Sequence, residues 1–366
     1  MTPRGPLLKA TKTIAKWITL SVVALAAASA LGGCAYRAYR HRQIDRATAI
    51  DPARGVDDAL FTRIGGIEQW LTIRGQNRAN PVLLLLHGGP GLALSVVPRS
   101  MFADWTHDFT LVQWDQRGAG RTFGRSGPLA AGVTIDRMAL DGLEVAEFLG
   151  TRLHAPKIVL VGVSWGSILG VHMVKTRPDL FSAFVGTGMV VNHRDGRAIA
   201  YRQLLAEART RNNRRAVEEL EANGPPPYAS MAKATVHTRW ANTFEPGAPS
   251  RWDALRMVLF ESNAGLADLR DYARGLKNSD DHFREEGDRV DLRSLGTNFD
   301  VPFFVFQGAA DNVAPPSLAR AYVDAISAPH KEFAAIANAG HNAAATRGAE
   351  FLALLRERVR PFALMR

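Results

Sequence analysis

The sequence predicts an α/β protein in which a doubly wound, mostly parallel sheet is interrupted by a helical cap. Three observations lead to this prediction. Short apolar runs without alternation recur along the 366-residue chain, and each ends in glycine or a turn. Helical patterns lie between these runs, as a parallel sheet requires. The stretch 191–295 contains no such run and includes a segment rich in Arg, Glu and Ala, which indicates helices inserted between two parts of one sheet.

Four apolar runs predict buried strands. Because parallel strands are covered on both faces, their sequences are continuously apolar. A weaker strand is predicted at Glu332–Ile336. The four runs are Val82–Leu86, Leu111–Trp114, Ile158–Val161 and Phe303–Phe306.

Helical patterns occupy the segments between these strands. Thr134 is the predicted N-cap of a helix that continues to about Leu149. A second helix is predicted to begin after Ser164 and to end at Arg177, because a proline follows. The chain then divides into four predicted parts. They are a basic N-terminal segment (1–46), the first part of the α/β core (47–190), the cap (191–295) and the second part of the core (296–366).

The N-terminal segment carries most of the positive charge. The chain has a net charge of +10, and residues 1–46 contribute eight Lys or Arg against one acid. This distribution indicates a membrane partner and argues against nucleic acid. The stretch Trp17–Tyr36 has 20 residues without a charge, and about 20 apolar residues suffice to cross a bilayer.

Three interpretations of this segment stay open at the level of sequence. They are a single membrane anchor, a cleaved secretory signal, and a bacterial lipoprotein signal, since Leu31–Cys34 resembles a lipobox. Cys34 is the only cysteine of the chain and stands where a lipidated cysteine would. We therefore expect a membrane-associated protein of the bacterial cell envelope, held by an N-terminal anchor or by a lipid.

The pentapeptide Gly162–Gly166 fits the pattern G-x-S-x-G. It follows the predicted strand Ile158–Val161 and precedes a predicted helix. This is the context of a nucleophile elbow, a sharp turn that exposes a serine hydroxyl at the carboxyl edge of a sheet. Ser164 is therefore the predicted nucleophile.

A candidate acid and a candidate base follow in the order that such an elbow requires, serine, then acid, then histidine. Asp311 comes after the strand Phe303–Phe306, and His341 comes after the strand Glu332–Ile336 in Ala-Gly-His-Asn. We expect Asp311 to orient the imidazole and His341 to act as base. The sequence has no Cys/His cluster that would suggest zinc, and this chemistry needs neither a metal nor an organic cofactor.

The glycine-rich loop His87–Gly91 follows the first strong strand. Such a loop can donate a backbone N–H to an oxyanion, here from Gly88 or Gly89, and Trp165 can supply the second donor. His87 itself is expected to hold the loop through a hydrogen bond.

Three motifs taken together resemble the proline iminopeptidase family of α/β hydrolases. They are HGGPG at 87–91, WDQRGAGRT at 114–122 and VSWGS at 163–167. The resemblance implies the α/β-hydrolase fold, with Ser164, Asp311 and His341 in the catalytic roles. In the family, enzymes that release N-terminal proline hold the free amine with cap glutamates, one of them in a Trp-x-x-Trp-Glu stretch. The counterpart here, Trp240–Glu245, is one residue longer, and the resemblance implies Glu245 as the substrate-binding residue.

The leading functional prediction is an aminopeptidase that releases N-terminal proline or another small residue from a small peptide. An esterase or amidase that acts on small acyl compounds with the same residues stays open. Epoxide hydrolases and dehalogenases are disfavoured, since they place a carboxylate at the elbow. A binding protein on an inactive scaffold would be expected to lack one of the three residues.

Overall fold

An eight-stranded sheet lies at the centre of the described part of the chain. The computed structural model describes residues 5–228 and 230–365, so the first four residues of the predicted N-terminal segment lie outside it. The strands are β1 (Val56–Ile64), β2 (Ile67–Gly75), β3 (Val82–Leu86), β4 (Thr110–Asp115), β5 (Ile158–Val163), β6 (Phe181–Thr187), β7 (Phe303–Gly308) and β8 (Lys331–Ile336). Their order is β1-β2-β4-β3-β5-β6-β7-β8. The pairs β1–β2 and β2–β4 are antiparallel, and the other neighbours are parallel.

Helices connect most of the parallel strands. Thr134 caps the helix after β4 as predicted, because its hydroxyl accepts a hydrogen bond from the backbone N–H of Arg137. The helices are α1 (Gly5–Ala47), α2 (Gly120–Ser126), α3 (Ile135–Arg152), α4 (Trp165–Thr176), α5 (His193–Thr210), α6 (Arg214–Asn223), α7 (Met231–Phe244), α8 (Arg251–Phe260), α9 (Leu266–Asp288), α10 (Pro316–Ala325), α11 (Ala343–Thr346), α12 (Gly348–Leu354) and α13 (Arg360–Leu364). A π-helical turn spans Leu355–Val359, and short 3-10 helices span Leu94–Val96, Arg99–His107, Pro178–Leu180 and Leu292–Leu295.

The core lies in two layers, one on each face of the sheet. Along β3, Leu84 and Leu86 belong to the layer that contains α3 and α4, while Leu83 and Leu85 belong to the layer that contains α12. Both faces of β3 are therefore covered, which explains why its sequence is apolar at every position.

The predicted strands all lie within strands of the sheet, but two parts of the sheet were not predicted. The hairpin β1–β2 is antiparallel and partly exposed, so polar and charged residues are interspersed among its apolar ones. Strand β6 contains Ser182 and ends in Gly-Thr, which interrupts the apolar run by which buried strands are recognised.

Five helices, α5 to α9, follow β6 and precede β7; we call them the cap. The cap has a small core of its own around Tyr201, Leu220 and Trp240. Helix α9 lies directly against the loop after β4, since a Cβ on Gly275 would lie 2.8 Å from the Gly118 carbonyl oxygen. The division of the chain at residues 190 and 295 stays a prediction.

Helix α1 is long and apolar enough to cross a membrane, since its part from Lys16 to Ala47 contains an 18-residue window with a mean hydropathy of 1.9. By composition alone, such a helix near the N-terminus is an anchor or a signal sequence.

The carboxylate of Asp141 ties the β1–β2 hairpin to α3. It is buried and lies 2.7 Å from the Arg117 guanidinium and 2.6 Å from that of Arg137. The Gln69 amide of β2 donates a third hydrogen bond at 2.8 Å. Removing this buried carboxylate would leave the Arg117 guanidinium without its counter-charge, while Arg137 would keep its ion pair with Glu144.

We predict that Asp141→Ala lowers the free energy of unfolding by about 3 kcal/mol or more, because one partner of a buried ion pair is lost. Urea denaturation measures this loss. The control is Glu147→Ala on the same helix, whose partner Arg177 lies on the surface; this variant should be nearly as stable as the wild type. Equal stability of the two variants would contradict the prediction.

Candidate active site

Ser164 stands in a strained turn between β5 and α4. Its backbone has φ 53° and ψ −117°, a combination that non-glycine residues rarely adopt. The flanking glycines make the turn possible, since a Cβ on Gly162 would lie 2.5 Å from the Gly166 carbonyl oxygen. A Cβ on Gly166 would lie 2.4 Å from the Leu86 carbonyl oxygen at the end of β3. The turn thus presents Ser164 where β3 and β5 end.

Asp311 lies in the loop after β7, and its carboxylate is fixed by the chain around it. The side chain is buried, and Oδ1 accepts hydrogen bonds at 2.8 Å from the backbone N–H groups of Val313 and Ala314. Oδ2 accepts one at 2.7 Å from the Gln307 amide of β7. Such a set of donors holds the carboxylate in one orientation.

His341 lies in the loop after β8 and faces that carboxylate. Its Nδ1–H donates to Asp311, with distances of 3.1 and 3.0 Å to the two carboxylate oxygens. Burial by itself lowers the pKa of His341, but the charge and hydrogen bond of Asp311, with a smaller contribution from Glu245, outweigh it and raise the pKa above its usual range.

Ser164 and His341 both lie against the end of β6. Gly188 follows β6, and a Cβ on it would lie 2.9 Å from Cε1 of His341. The backbone N–H of Ser164 donates to the carbonyl of Thr187, the neighbouring residue, at 2.9 Å. On the other side, a Cβ on Gly88 would lie 3.8 Å from the Ser164 hydroxyl oxygen.

Within the described residues, the Ser164 hydroxyl has no hydrogen-bond partner, and neither has Nε2 of His341. A hydroxyl rotates freely, and hydrogen bonds of this kind often tighten only in a substrate complex.

The glycine-rich loop is held by His87. Burial lowers the pKa of His87 to about 4, so the imidazole is neutral. Its Nδ1–H donates to the Gly88 carbonyl at 2.8 Å, and Nε2 accepts from the backbone N–H of Gln116 at 3.2 Å. This side chain joins the loop after β3 to the loop after β4, as expected.

Three backbone donors without a partner in the described part of the chain lie in the segments next to Ser164. Among the residues that the structure describes, the N–H groups of Gly88, Gly89 and Trp165 have no protein acceptor. The N–H of Trp165 is the first of α4, where backbone donors point away from the helix. An anion beside Ser164 could therefore accept hydrogen bonds from backbone groups.

Comparison with known proteins agrees with this geometry. The family model described as the alpha/beta hydrolase fold matches residues 81–347. The chain belongs to this family. As the motifs predicted, this hydrolase is an enzyme of the serine hydrolase type and resembles the prolyl aminopeptidases, which confirms the predicted fold and family.

The relatives of the hydrolase carry peptidase names. It is 28% identical over 282 residues to a probable aminopeptidase, YbaC, of Bacillus subtilis, which covers 76% of this chain and 88% of the relative. It is 27% identical over 245 residues to a probable proline iminopeptidase of Streptomyces coelicolor, covering 62% of this chain and 73% of that protein.

Solved structures share the fold of the hydrolase. A proline iminopeptidase from Mycobacterium smegmatis has a TM-score of 0.62 and 19% identity, over 84% of this chain and 99% of that chain. A membrane phospholipase A, described as a bacterial virulence factor, has a TM-score of 0.62 and 17% identity, over 95% of this chain and 99% of that chain. At these identities the likeness concerns the fold alone.

Glu245, at the end of α7, lies against the loop that carries His341. Its Oε1 accepts a hydrogen bond from the backbone N–H of Asn342 at 2.6 Å, and Oε2 accepts one from the Asn342 amide at 2.8 Å. A Cβ on Gly340 would lie 2.7 Å from Cγ of Glu245. The carboxylate is thus close to His341, and both of its oxygens already have donors.

Sequence reasoning missed three residues of this site. Gln307 fixes Asp311, Gly188 makes room for His341, and Asn342 binds Glu245. A polar side chain at the end of the apolar strand β7 was a signal for Gln307. No comparable signal existed for Gly188, because the strand before it was not predicted.

We predict that Gly188→Ala lowers the rate of hydrolysis by about 10²-fold, since the new methyl group displaces the His341 ring and small displacements are costly in catalysis. Ester hydrolysis under saturating substrate measures it. The control is Gly66→Ala, which also has a positive φ but has open space around its Cα. We expect this variant to be less stable, because alanine is strained at a positive φ, but to keep its activity. Unchanged activity in Gly188→Ala would rule out the steric argument.

Proposed function

We propose that this hydrolase cleaves acyl compounds through an acyl-enzyme on Ser164, with His341 as base and Asp311 as the acid that orients it. One observation carries the proposal. Nδ1 of His341 lies 3.0 Å from a buried carboxylate, and the same ring lies against Gly188, next to the Thr187 carbonyl that accepts the backbone N–H of Ser164. A serine at a strained elbow with an oriented imidazole nearby is the arrangement that nucleophilic catalysis requires.

The chemistry follows from these positions. Nε2 of His341 takes the hydroxyl proton as Oγ of Ser164 attacks the acyl carbon, and Asp311 stabilises the imidazolium. The backbone N–H of Trp165, with that of Gly88 or Gly89, holds the oxyanion. The imidazolium then gives its proton to the leaving group, and water attacks the acyl-enzyme with the same base, which frees Ser164.

The proposed substrates are small peptides from which an N-terminal residue, proline above all, is released. The peptidase names of the two relatives support this substrate class. A free N-terminus is a cation, and binding it out of water requires a carboxylate. Glu245 is the proposed partner, because its carboxylate lies beside the loop of His341.

A second candidate function is hydrolysis of simple acyl esters or amides. The observation that favours it is the hydrogen bonding of Glu245, whose two oxygens both accept from Asn342. A carboxylate that is used in this way positions the His341 loop instead of binding an amine.

We also propose that the hydrolase works at the bacterial cell envelope, held there by α1 or by a lipid on Cys34. The apolar N-terminal helix supports this proposal. Recovery of the full chain in the soluble fraction after cell lysis would contradict it.

We predict that Ser164→Ala loses activity by about 10⁴-fold or more while the protein stays folded, because no other group can form the acyl-enzyme. Turnover of an aminoacyl amide and circular dichroism measure the two effects. A fluorophosphonate probe should label the wild type at Ser164, and Ser167→Ala, three residues along the chain, should still be labelled. Labelling at another residue would overturn the proposal.

We predict that Glu245→Gln lowers kcat/KM for aminoacyl amides with a free N-terminus by about tenfold or more, because the ammonium group loses its counter-charge, and spares esters that lack an amine. Kinetics on the two substrate types measure this difference. The control is Glu221→Gln, whose side chain pairs with Arg209 on the cap surface.

The pH profile of Glu245→Gln adds an independent readout. Hydrolysis needs neutral His341, so the rate is full above its pKa and falls as the pH drops through it. Because the charge of Glu245 helps to raise this pKa, its removal shifts the acid limb of the profile to lower pH. Equal losses on both substrate types would favour the positioning role and the esterase. No loss on either would remove Glu245 from the site.

A further inference from the structure

Helix α1 separates from the folded body near Gly33. Side chains on one stripe after this point are half-buried or buried, among them Arg37, Arg40 and Ile44. By contrast, residues 16–32 are all exposed. A bilayer around the apolar run would therefore end close to Tyr36. A lipid on Cys34 would place Tyr36 at the same level, so both forms of attachment put this part of α1 at the membrane boundary.

The end of α8 is fixed to α1 at this boundary. The rings of Tyr36 and Phe260 pack edge to face with centroids 5.1 Å apart. The Arg37 guanidinium donates to the carbonyls of Leu259, Ser262 and Ala264, the last two at 2.9 and 2.8 Å. One turn further along α1, Arg40 forms an ion pair with Glu261 at 2.7 Å. With α1 in the membrane as proposed above, the α8–α9 turn lies at the level where the chain enters the bilayer.

Helix α8 exposes an apolar stripe next to this junction. Trp252, Leu255 and Leu259 are 79%, 46% and 42% exposed and lie at spacings of three and four residues, hence on one side of the helix. Leu266, at the start of α9, is 86% exposed. Outside α1, eight large apolar side chains are exposed in the described residues, and these are four of them. Such a concentration marks a binding surface.

We propose that this membrane-facing cap surface, formed by Trp252, Leu255, Leu259 and Leu266, inserts into the lipid headgroup region and is a second membrane contact beside α1. The position of the surface argues for lipid as its partner. Helix α8 has ten residues and is therefore about 15 Å long, so the whole stripe stays near the boundary that Arg37 marks. A tryptophan beside two leucines is typical of helices that lie in the membrane interface.

The surface is connected to the active site. The Ser262 hydroxyl, in the turn after α8, donates to the Val96 carbonyl at 2.6 Å, and Val96 follows the glycine-rich loop by five residues. Membrane contact would therefore hold the cap and this loop together at the bilayer. The inference rests on the proposed attachment of α1 to the membrane and does not depend on which acyl bond is cleaved.

The test uses the full chain reconstituted into phosphatidylcholine vesicles, with and without bromine on the acyl chains near the headgroup. The fluorescence of Trp252 is obtained as the difference between wild type and Trp252→Phe, which removes the signal of Trp17 in α1. We expect this difference spectrum to be shifted to the blue relative to the emission of a tryptophan that is exposed to water. We also expect it to lose most of its intensity with the brominated lipid.

A matched pair of variants makes the test specific. Leu255→Glu places a carboxylate in the stripe and should abolish most of the quenching of Trp252, while α1 still holds the protein in the vesicle. Leu140→Glu, on α3 at 45% exposure, should leave the quenching unchanged. A Trp252 signal that is red-shifted and unquenched would overturn the proposal. So would a blue-shifted but unquenched signal, which would mean that a second copy of the chain covers the stripe.

Discussion

The close approach of the end of β3 to the turn after β5 is the constraint on which the site depends. Gly166 lies so near the Leu86 carbonyl, and Gly162 so near Gly166, that no side chain fits at either position. This contact forces the backbone of Ser164 into a conformation with positive φ. The strain is stabilised by the parallel strands on both sides, β3 and β6, which are buried throughout or nearly so. A less closely packed sheet would allow the turn to adopt an unstrained conformation, and the hydroxyl would then no longer project from the edge of the sheet.

The same sheet brings together residues that are far apart in the sequence. The loops after β5, β6, β7 and β8 all leave at the carboxyl ends of neighbouring parallel strands, where sites of α/β proteins form. Asp311 and His341 are therefore in contact although no local sequence pattern links them. The cap is inserted between β6 and β7, and it touches this contact through Glu245, which accepts hydrogen bonds from Asn342 beside His341.

The sequence was sufficient for the parts of the structure that local patterns determine. The continuous apolar runs located four strands, a weaker pattern located β8, and Thr134 located the start of α3. Contacts between distant segments could not be predicted from the sequence. The hydrogen bonds of Glu245 with Asn342 depend on how the cap lies on the core. The exposure of Trp252 depends on which neighbours α8 acquires, since an apolar residue on a helix ordinarily indicates burial.

The docking of α9 on the core limits how the other cap helices can be exchanged. The backbone of α9 rests on two loops of the core, since a Cβ on Gly91 would lie 3.0 Å from Cα of Leu276 and one on Gly275 would lie 2.8 Å from the Gly118 carbonyl. Larger side chains at these glycines would push the whole cap away. A graft of other helices in place of α5 to α8 should therefore keep α9 together with the core, and it must replace the contacts that Glu245 makes with the His341 loop.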